Sequence, residues 1–193
     1  VFVVDNSNSM TKDRFETALI ELMRTVNAMS PRQKFYVIFF SDTAYRMFHP
    51  EPAPTLIAAT DENKRRLESW LGTVQLCLRT QGEDAMQAAL ALNPDVIYIL
   101  GDGAFTDKTT QKLPAPHNRR IPIQTLGMEV DPTGARQLQA IAEANGGTYR
   151  LVGASAAARM LSKRNPITGN NTRGPVWGVK LPAVAAPRKK KKR

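Results

Sequence analysis

The chain has 193 residues, of which 42% are hydrophobic and 23% are charged, and its formal net charge is +10. Such values are typical of a globular protein with one buried core, and no apolar run approaches the roughly 20 residues that a membrane-spanning helix needs. Of the 27 Lys and Arg residues, ten lie from Lys163 onward, where no acidic residue occurs; the 17 that remain equal the 17 acidic residues. Bulk charge therefore gives no reason to assign nucleic-acid binding to the part before Lys163.

The cysteine content and the first residues limit what can be said about the compartment. Cys77 is the only cysteine, which excludes an intrachain disulfide, and its place between Leu76 and Leu78 predicts a small buried apolar residue. The chain begins inside the apolar run of residues 1–4, so we expect the first strand to be truncated at its N-terminus. The sequence does not determine where in the cell the protein is located. If an upstream segment is missing, the protein could be anchored to a membrane or lie outside the cytoplasm.

Strands and helices are predicted to alternate along the first 150 residues. Apolar residues at helical spacing predict a helix over about 12–29, and a helix opening at 60–63 is expected to bury Leu67, Trp70 and Leu71. Continuous apolar runs predict buried strands. The predicted strands cover residues 1–4, 35–40, 96–100, 121–126 and 148–152, and the other predicted helices cover 83–92, 133–144 and 154–161.

This alternation predicts an α/β fold, with a Rossmann-like, doubly wound and mostly parallel sheet covered by helices on both faces. We expect one domain over residues 1–162. Residues 163–193 are rich in Pro, Gly, Asn and Lys and are predicted to form a disordered basic tail.

Polar side chains follow two of the predicted strands. Asp5 comes directly after the first strand, and Asp102 follows the strand of residues 96–100. If these strands are neighbours, two carboxylates meet at one edge of the sheet, where a hard cation relieves their repulsion. Ser7 and Ser9 can turn further oxygens toward the same point. An oxygen-only set fits Mg²⁺ first, with Mn²⁺ or Ca²⁺ as alternatives, and neutral hydroxyls leave the cation short of negative charge.

The segments that carry these residues resemble those of von Willebrand factor A-type (VWA) domains. The sequence VFVVDNSNSM resembles the opening strand and DxSxS loop of that family, LRTQ its Thr-bearing loop, and ILGDGAF its strand-ending Thr-Asp-Gly. The resemblance extends from Val1 to about Val152 and includes a bacterial subset of unassigned function. It implies the VWA fold and a metal-ion-dependent adhesion site, with the ligands Asp5, Ser7, Ser9, Thr80 and Asp102.

The resemblance also implies a function without catalysis, in which an Asp or Glu of a partner protein completes the metal coordination. Four positions depart from the family pattern. Asn8 and Arg79 stand where the family usually has Gly, Gln81 replaces a common Asp, and Gly101 replaces a Thr or Ser. We expect Asn8 to tolerate the left-handed backbone that a glycine position often requires, and Arg79 to need another backbone shape or to weaken metal binding by its charge.

Three other interpretations compete with this one. Asp5, Ser7 and Ser9 could merely cap the first helix, with Asp102 starting a tight turn. A haloacid-dehalogenase-like, Mg²⁺-dependent phosphatase also has an Asp after its first strand, but its general acid two residues later is here Ser7. Finally, the basic run Arg188–Arg193 fits an anionic partner, namely nucleic acid, a membrane surface or an acidic protein.

Overall fold

The structure is a computed structural model that describes residues 1–113, 121–164 and 169–170. The strands are β1 (Phe2–Asp5), β2 (Lys34–Phe35), β3 (Val37–Phe40), β4 (Ala44–Arg46), β5 (Ile57–Ala58), β6 (Leu76–Cys77), β7 (Ile97–Gly101), β8 (Ile123–Met128), β9 (Tyr149–Val152) and β10 (Gly169–Asn170). The helices are α1 (Arg14–Ala28), α2 (Asp61–Leu71), α3 (Glu83–Ala91), α4 (Thr109–Lys112), α5 (Pro132–Ala144) and α6 (Ala156–Arg164), with a 3₁₀ turn at Asn8–Met10.

Six strands form the central sheet, in the order β4-β3-β1-β7-β8-β9. All neighbours run parallel except β4, which pairs antiparallel with β3 at one edge. The chain leaves β1 toward β3 and later returns to the opposite side of β1 as β7. Because the winding direction reverses there, the carboxyl ends of β1 and β7 form the switch point at which doubly wound sheets bind ligands. The predicted mostly parallel, Rossmann-like α/β fold is confirmed.

Helices cover both faces of the sheet. Every residue of β1 and β3 is buried, as their continuous apolar runs predict. On one face the Phe39 ring packs against Phe15 of α1 at 6.0 Å and Trp70 of α2 at 5.5 Å between centroids. On the other face the Thr125 hydroxyl donates to the Leu138 carbonyl of α5 at 2.9 Å. A fully buried phenylalanine such as Phe39 contributes roughly 1.5–3 kcal/mol.

The first helix and the second predicted strand are shorter than expected. Helix α1 begins at Arg14, two residues after the predicted start, because Lys12 and Asp13 have φ values of 59° and 69° and cannot continue a right-handed helix. The predicted strand at 35–40 is divided at Tyr36: β2 pairs with β5 in a separate two-stranded sheet, and only β3 enters the central sheet.

Other predicted elements are present with boundaries shifted by one to three residues. The strand predicted at 121–126 lies at Ile123–Met128, for example, and the last helix runs from Ala156 to Arg164. The short strands β4, β5, β6 and β10 are additional to the prediction. Strand β6 pairs in parallel with β10, so Asn170 lies beside Cys77, which is buried as expected.

The predicted C-terminal tail is largely outside the described residues. Helix α6 includes Lys163 and Arg164, past the predicted domain boundary at residue 162. Residues 165–168 and 171–193, with the run Arg188–Arg193, are not described, so the boundary and the disorder of the tail stay predictions. Among the described residues, no helix combines the length and apolar character required to span a membrane.

Candidate metal centre

Two buried carboxylates meet at the carboxyl edge of the sheet. Val4 is in register with Leu100 across the β1–β7 pair, so Asp5 ends one strand where Asp102 follows its neighbour. Asp5 is 1% exposed and Asp102 is 5% exposed. Each uses its Oδ1 to accept a backbone N–H two residues later, from Ser7 at 2.7 Å and from Ala104 at 3.0 Å. These bonds fix both carboxylates at the strand ends.

The loop after β1 turns two hydroxyls toward each other. The Oγ atoms of Ser7 and Ser9 share a hydrogen bond of 2.8 Å. Ser7 is buried and Ser9 is half-buried. Asn6 holds the loop in place, because its N–H donates to the Phe40 carbonyl at 3.0 Å and its side-chain amide donates to the Gln75 carbonyl at 2.8 Å. The alternation of Ser7 and Ser9 thus gives a pair of adjacent oxygens.

The loop of residues 78–81 crosses the same edge. It follows β6, where Cys77 bridges to Ser7 in the loop after β1. Its far end is tied to the end of β3, since the Gln81 N–H donates to the Ser41 carbonyl at 2.6 Å. Thr80 exchanges two hydrogen bonds with Thr106, through the Thr106 hydroxyl at 3.1 Å and the Thr106 N–H at 2.8 Å. Thr80 is 4% exposed. The loop therefore brings Thr80 to the edge that carries Asp5 and Asp102.

The electrostatics of this edge favour a cation. Burial, and the nearby charge of Asp102, raise the pKa of Asp5 from 3.8 to about 7, against the lowering effects of its hydrogen bonds from Ser7 and of Arg14. Two acidic groups held together out of water cannot both ionise cheaply. A divalent ion would remove that penalty. Two carboxylates and three hydroxyls are hard oxygen donors, the set that Mg²⁺ and Mn²⁺ prefer.

Sequence reasoning missed Arg14 as part of this edge. Its Nη1 donates to the Ser9 carbonyl at 3.0 Å and lies 3.5 Å from Asp102 Oδ2. Its Nη2 donates to the Glu129 carbonyl, also at 3.0 Å. Arg14 opens α1 directly after the loop, but its partners come from the ends of β7 and β8, and no local pattern reveals that contact.

The departures from the family pattern have distinct structural outcomes. Asn8 starts the 3₁₀ turn and has no positive φ, so this position does not use the left-handed backbone that an Asn can tolerate. Arg79 does adopt the left-handed region, with φ of 74°, and its side chain points outward as an exposed residue. At Gly101 an added Cβ would lie 2.9 Å from the Asp5 Cβ and 3.2 Å from its Oδ2. The glycine therefore allows Asp5 to lie close against β7.

Helix capping does not account for the cluster. The N-cap of α1 is Asp13, without a side-chain capping bond, and the serines of the loop make no such bond to α1. Asp102 does form the expected tight turn, because its Oδ1 accepts the Ala104 N–H, but its second oxygen lies near Arg14.

Within the described residues no group of three or more His, Cys, Asp or Glu side chains could hold a metal. The assignment of the five ligands stays a prediction.

Comparison with known proteins identifies the family. Residues 1–104, more than half of the chain, match the von Willebrand factor type A domain. The human inter-alpha-trypsin inhibitor heavy chain H4 is 28% identical over 171 residues, which are 79% of this chain and 18% of that protein. The chain belongs to the von Willebrand factor type A domain family. It spans less than a fifth of the length of this relative.

Solved structures have the same fold. Protein BatB from Bacteroides thetaiotaomicron superposes with a TM-score of 0.60 at 19% identity, over 84% of this chain and 94% of that one. The manganese-loaded TRAP protein of Plasmodium vivax gives 0.58 at 15% identity, over 83% of this chain and 70% of that one. VWA domains generally mediate protein–protein interactions, so the coarse function of this chain is that of an interaction module.

Proposed function

We propose that this chain is a metal-ion-dependent protein-binding module. Asp5, Ser7, Ser9, Thr80 and Asp102 hold one divalent cation, Mg²⁺ or Mn²⁺ before Ca²⁺, and a partner protein supplies an Asp or Glu to its remaining position. The observation that carries the proposal is the burial of two carboxylates on neighbouring strand ends, with a raised pKa at Asp5. Such a pair is costly without a cation and stable with one.

The chemistry of the ligands explains the need for a partner. Serine and threonine hydroxyls donate lone pairs but no charge, so the cation keeps its affinity for an external anion. The role of the bound cation is to attract that carboxylate. Ser7 and Thr80 are both buried, and backbone contacts of Ser7 with Cys77 and of Thr80 with Thr106 hold them at this edge of the sheet. No bond is made or broken, and the module acts by recognition alone.

The comparisons support the metal indirectly. The TRAP protein of similar fold is manganese-loaded, which agrees with divalent ions as ligands of this fold. The phosphatase alternative loses support, because the position of its general acid is Ser7, whose hydroxyl pairs with Ser9.

Metal binding is tested by calorimetry on the full chain with Mg²⁺ and Mn²⁺ at pH 8. Thr80→Val removes one proposed ligand without changing the side-chain volume, and we expect at least about a tenfold weaker affinity, as for other groups that orient or contact a metal. Thr109→Val is the matched control, because Thr109 is equally buried and its hydroxyl makes no hydrogen bond among the described residues. Equal affinities of the two variants, or no binding by the unaltered chain, would contradict the proposal.

The open coordination position is tested with acetate as a stand-in for the partner carboxylate. Bound Mn²⁺ relaxes the protons of its coordinated water, so an acetate ion that replaces a water lowers the relaxation enhancement. We expect that decrease with acetate and none with an equal concentration of chloride. A relaxation rate that does not respond to acetate would show that no exchangeable position is available to a carboxylate.

A further inference from the structure

Arg14 adds a third fixed charge to the two carboxylates of the site. Its guanidinium lies 3.5 Å from Asp102 Oδ2 and holds the carbonyls of Ser9 and Glu129 at 3.0 Å each. Its side chain is 28% exposed, so the charge is partly shielded from water. Arg14 also acts on Asp5, where it opposes the effects of burial and of Asp102. The guanidinium is therefore close enough to influence any cation held between these carboxylates.

The charges of the site do not balance when a divalent cation is present. Two carboxylates alone would bring the net charge of the loaded site to zero, so the attraction for a further anion would come only from the incomplete coordination of the cation. With the guanidinium of Arg14 beside Asp102, the loaded site instead keeps one net positive charge. One additional carboxylate restores neutrality, and such electrostatic effects are strong where the groups are shielded from solvent.

We propose that Arg14 couples metal binding to partner binding at this site: it weakens the hold on the cation alone and strengthens the hold on the carboxylate that completes the coordination. This inference rests on the proposed function. Arg14 is a positioning residue and not a metal ligand, because a guanidinium offers no lone pair to a cation. Coupling of this kind is reciprocal, so the carboxylate tightens the metal by the same factor by which the metal tightens the carboxylate.

If the role of Arg14 is purely structural, the loss of its hydrogen bonds matters and the loss of its charge does not, and three substitutions of Arg14 separate these two roles. Arg14→Lys keeps the charge but loses the planar fork that joins Ser9 and Glu129. Arg14→Met keeps an unbranched stem without charge, and Arg14→Gln is a second neutral variant that can still donate a hydrogen bond. Arg150→Met is the matched control, because it removes a charge from an ion pair with Glu21 on another part of the sheet.

The experiment is a titration of the full chain with Mn²⁺ at pH 8, followed by electron paramagnetic resonance of the free ion, with and without excess acetate. For Arg14→Met and Arg14→Gln we expect Mn²⁺ alone to bind about tenfold more tightly than to the unaltered chain, from the Coulomb energy of like charges in a partly solvated site. The factor by which acetate tightens Mn²⁺ should fall by a similar amount. Arg14→Lys and Arg150→Met should stay within about twofold of the unaltered chain in both quantities.

Three results would overturn the inference. The first is Mn²⁺ binding that is weaker or unchanged in both neutral variants. The second is the same change of Mn²⁺ affinity in Arg14→Lys as in Arg14→Met, which would show that the planar guanidinium matters and its charge does not. The third is an acetate effect that does not depend on residue 14. In these three cases the unaltered chain still binds Mn²⁺ and the proposed function survives. Failure of the unaltered chain to bind Mn²⁺ would remove both.

Discussion

Replacing Asp5 with asparagine should stabilise the folded chain when no metal is present and destabilise it when Mg²⁺ is bound. The substitution keeps the shape of the side chain and an oxygen that can accept the hydrogen bond from the Ser7 N–H, which is 2.7 Å long in the unaltered chain. It removes the negative charge that is close to Asp102. In a chelator we therefore expect the Asp5→Asn variant to be more stable than the unaltered chain. In excess Mg²⁺ the order should reverse, because only the unaltered chain retains the full ligand set.

The pKa of Asp5 sets the magnitude. Raising that pKa from 3.8 to about 7 corresponds to a cost on the order of 4 kcal/mol for holding the charged form in the folded state. The folded state binds this proton more tightly than the unfolded state, so the cost is fully present above pH 7 and disappears as the pH falls toward 4. Mg²⁺ at 100 times its dissociation constant stabilises the unaltered chain by about 2.7 kcal/mol, which reduces the advantage of the variant at pH 8 without reversing it. The reversal requires Mg²⁺ at about 10,000 times that constant, where the stabilisation reaches about 5.5 kcal/mol.

The assay is urea unfolding of both proteins at pH 5 and pH 8, in chelator and in Mg²⁺. In chelator, the free energy of unfolding of the variant should exceed that of the unaltered chain by more at pH 8 than at pH 5. Taking the difference between the two proteins removes the contribution of the titratable groups that both contain. A variant that is less stable than the unaltered chain in chelator at pH 8 would refute the electrostatic account of this site.

Three further outcomes follow from the geometry and a fourth from the sequence of the basic run. Because a proton competes with the cation at Asp5, the Mg²⁺ affinity measured by calorimetry should fall about tenfold per pH unit below pH 7 and level off above it; a flat profile would contradict the raised pKa. Gly101→Ala should displace Asp5 and weaken Mg²⁺ about tenfold or more, whereas Gly153→Ala, which has open space around it, should not. Arg79→Gly should raise the free energy of unfolding by about 0.5–1 kcal/mol in urea titrations, since it relieves a left-handed φ of 74°; a loss of stability would show that this conformation carries no strain. Replacing the basic residues of Arg188–Arg193 with glutamine should leave the Mg²⁺ affinity unchanged and remove salt-dependent binding to heparin, and any change in metal affinity would count against separate roles.

Long apolar runs made the centre of the fold predictable. Strands β1, β3 and β7 are buried on both faces, so their sequences are apolar almost throughout, and each was expected close to its observed place. Strands β4, β5 and β6 have only two or three residues, too few to show an alternating pattern. Their pairing depends on tertiary contacts.

The same distinction applies to the site. Asp5, Ser7 and Ser9 lie in one short motif and Asp102 follows an apolar strand, so local sequence was sufficient to nominate them. Arg14 was missed because its role comes from the carbonyl of Glu129, a residue 115 positions away, and from Asp102. The delayed start of α1 was missed for a similar reason: the left-handed backbone at Lys12 and Asp13 leaves no trace in the hydrophobic pattern.

The most direct test of the metal site is a crystal of the chain grown with Mn²⁺, with diffraction recorded at the manganese absorption edge. We expect one strong anomalous peak at the carboxyl edge of β1 and β7, within coordination distance of the Ser7, Ser9 and Thr80 hydroxyls and adjacent to the carboxylates of Asp5 and Asp102. A peak at any other place, or none at this edge under saturating Mn²⁺, would contradict the proposed site.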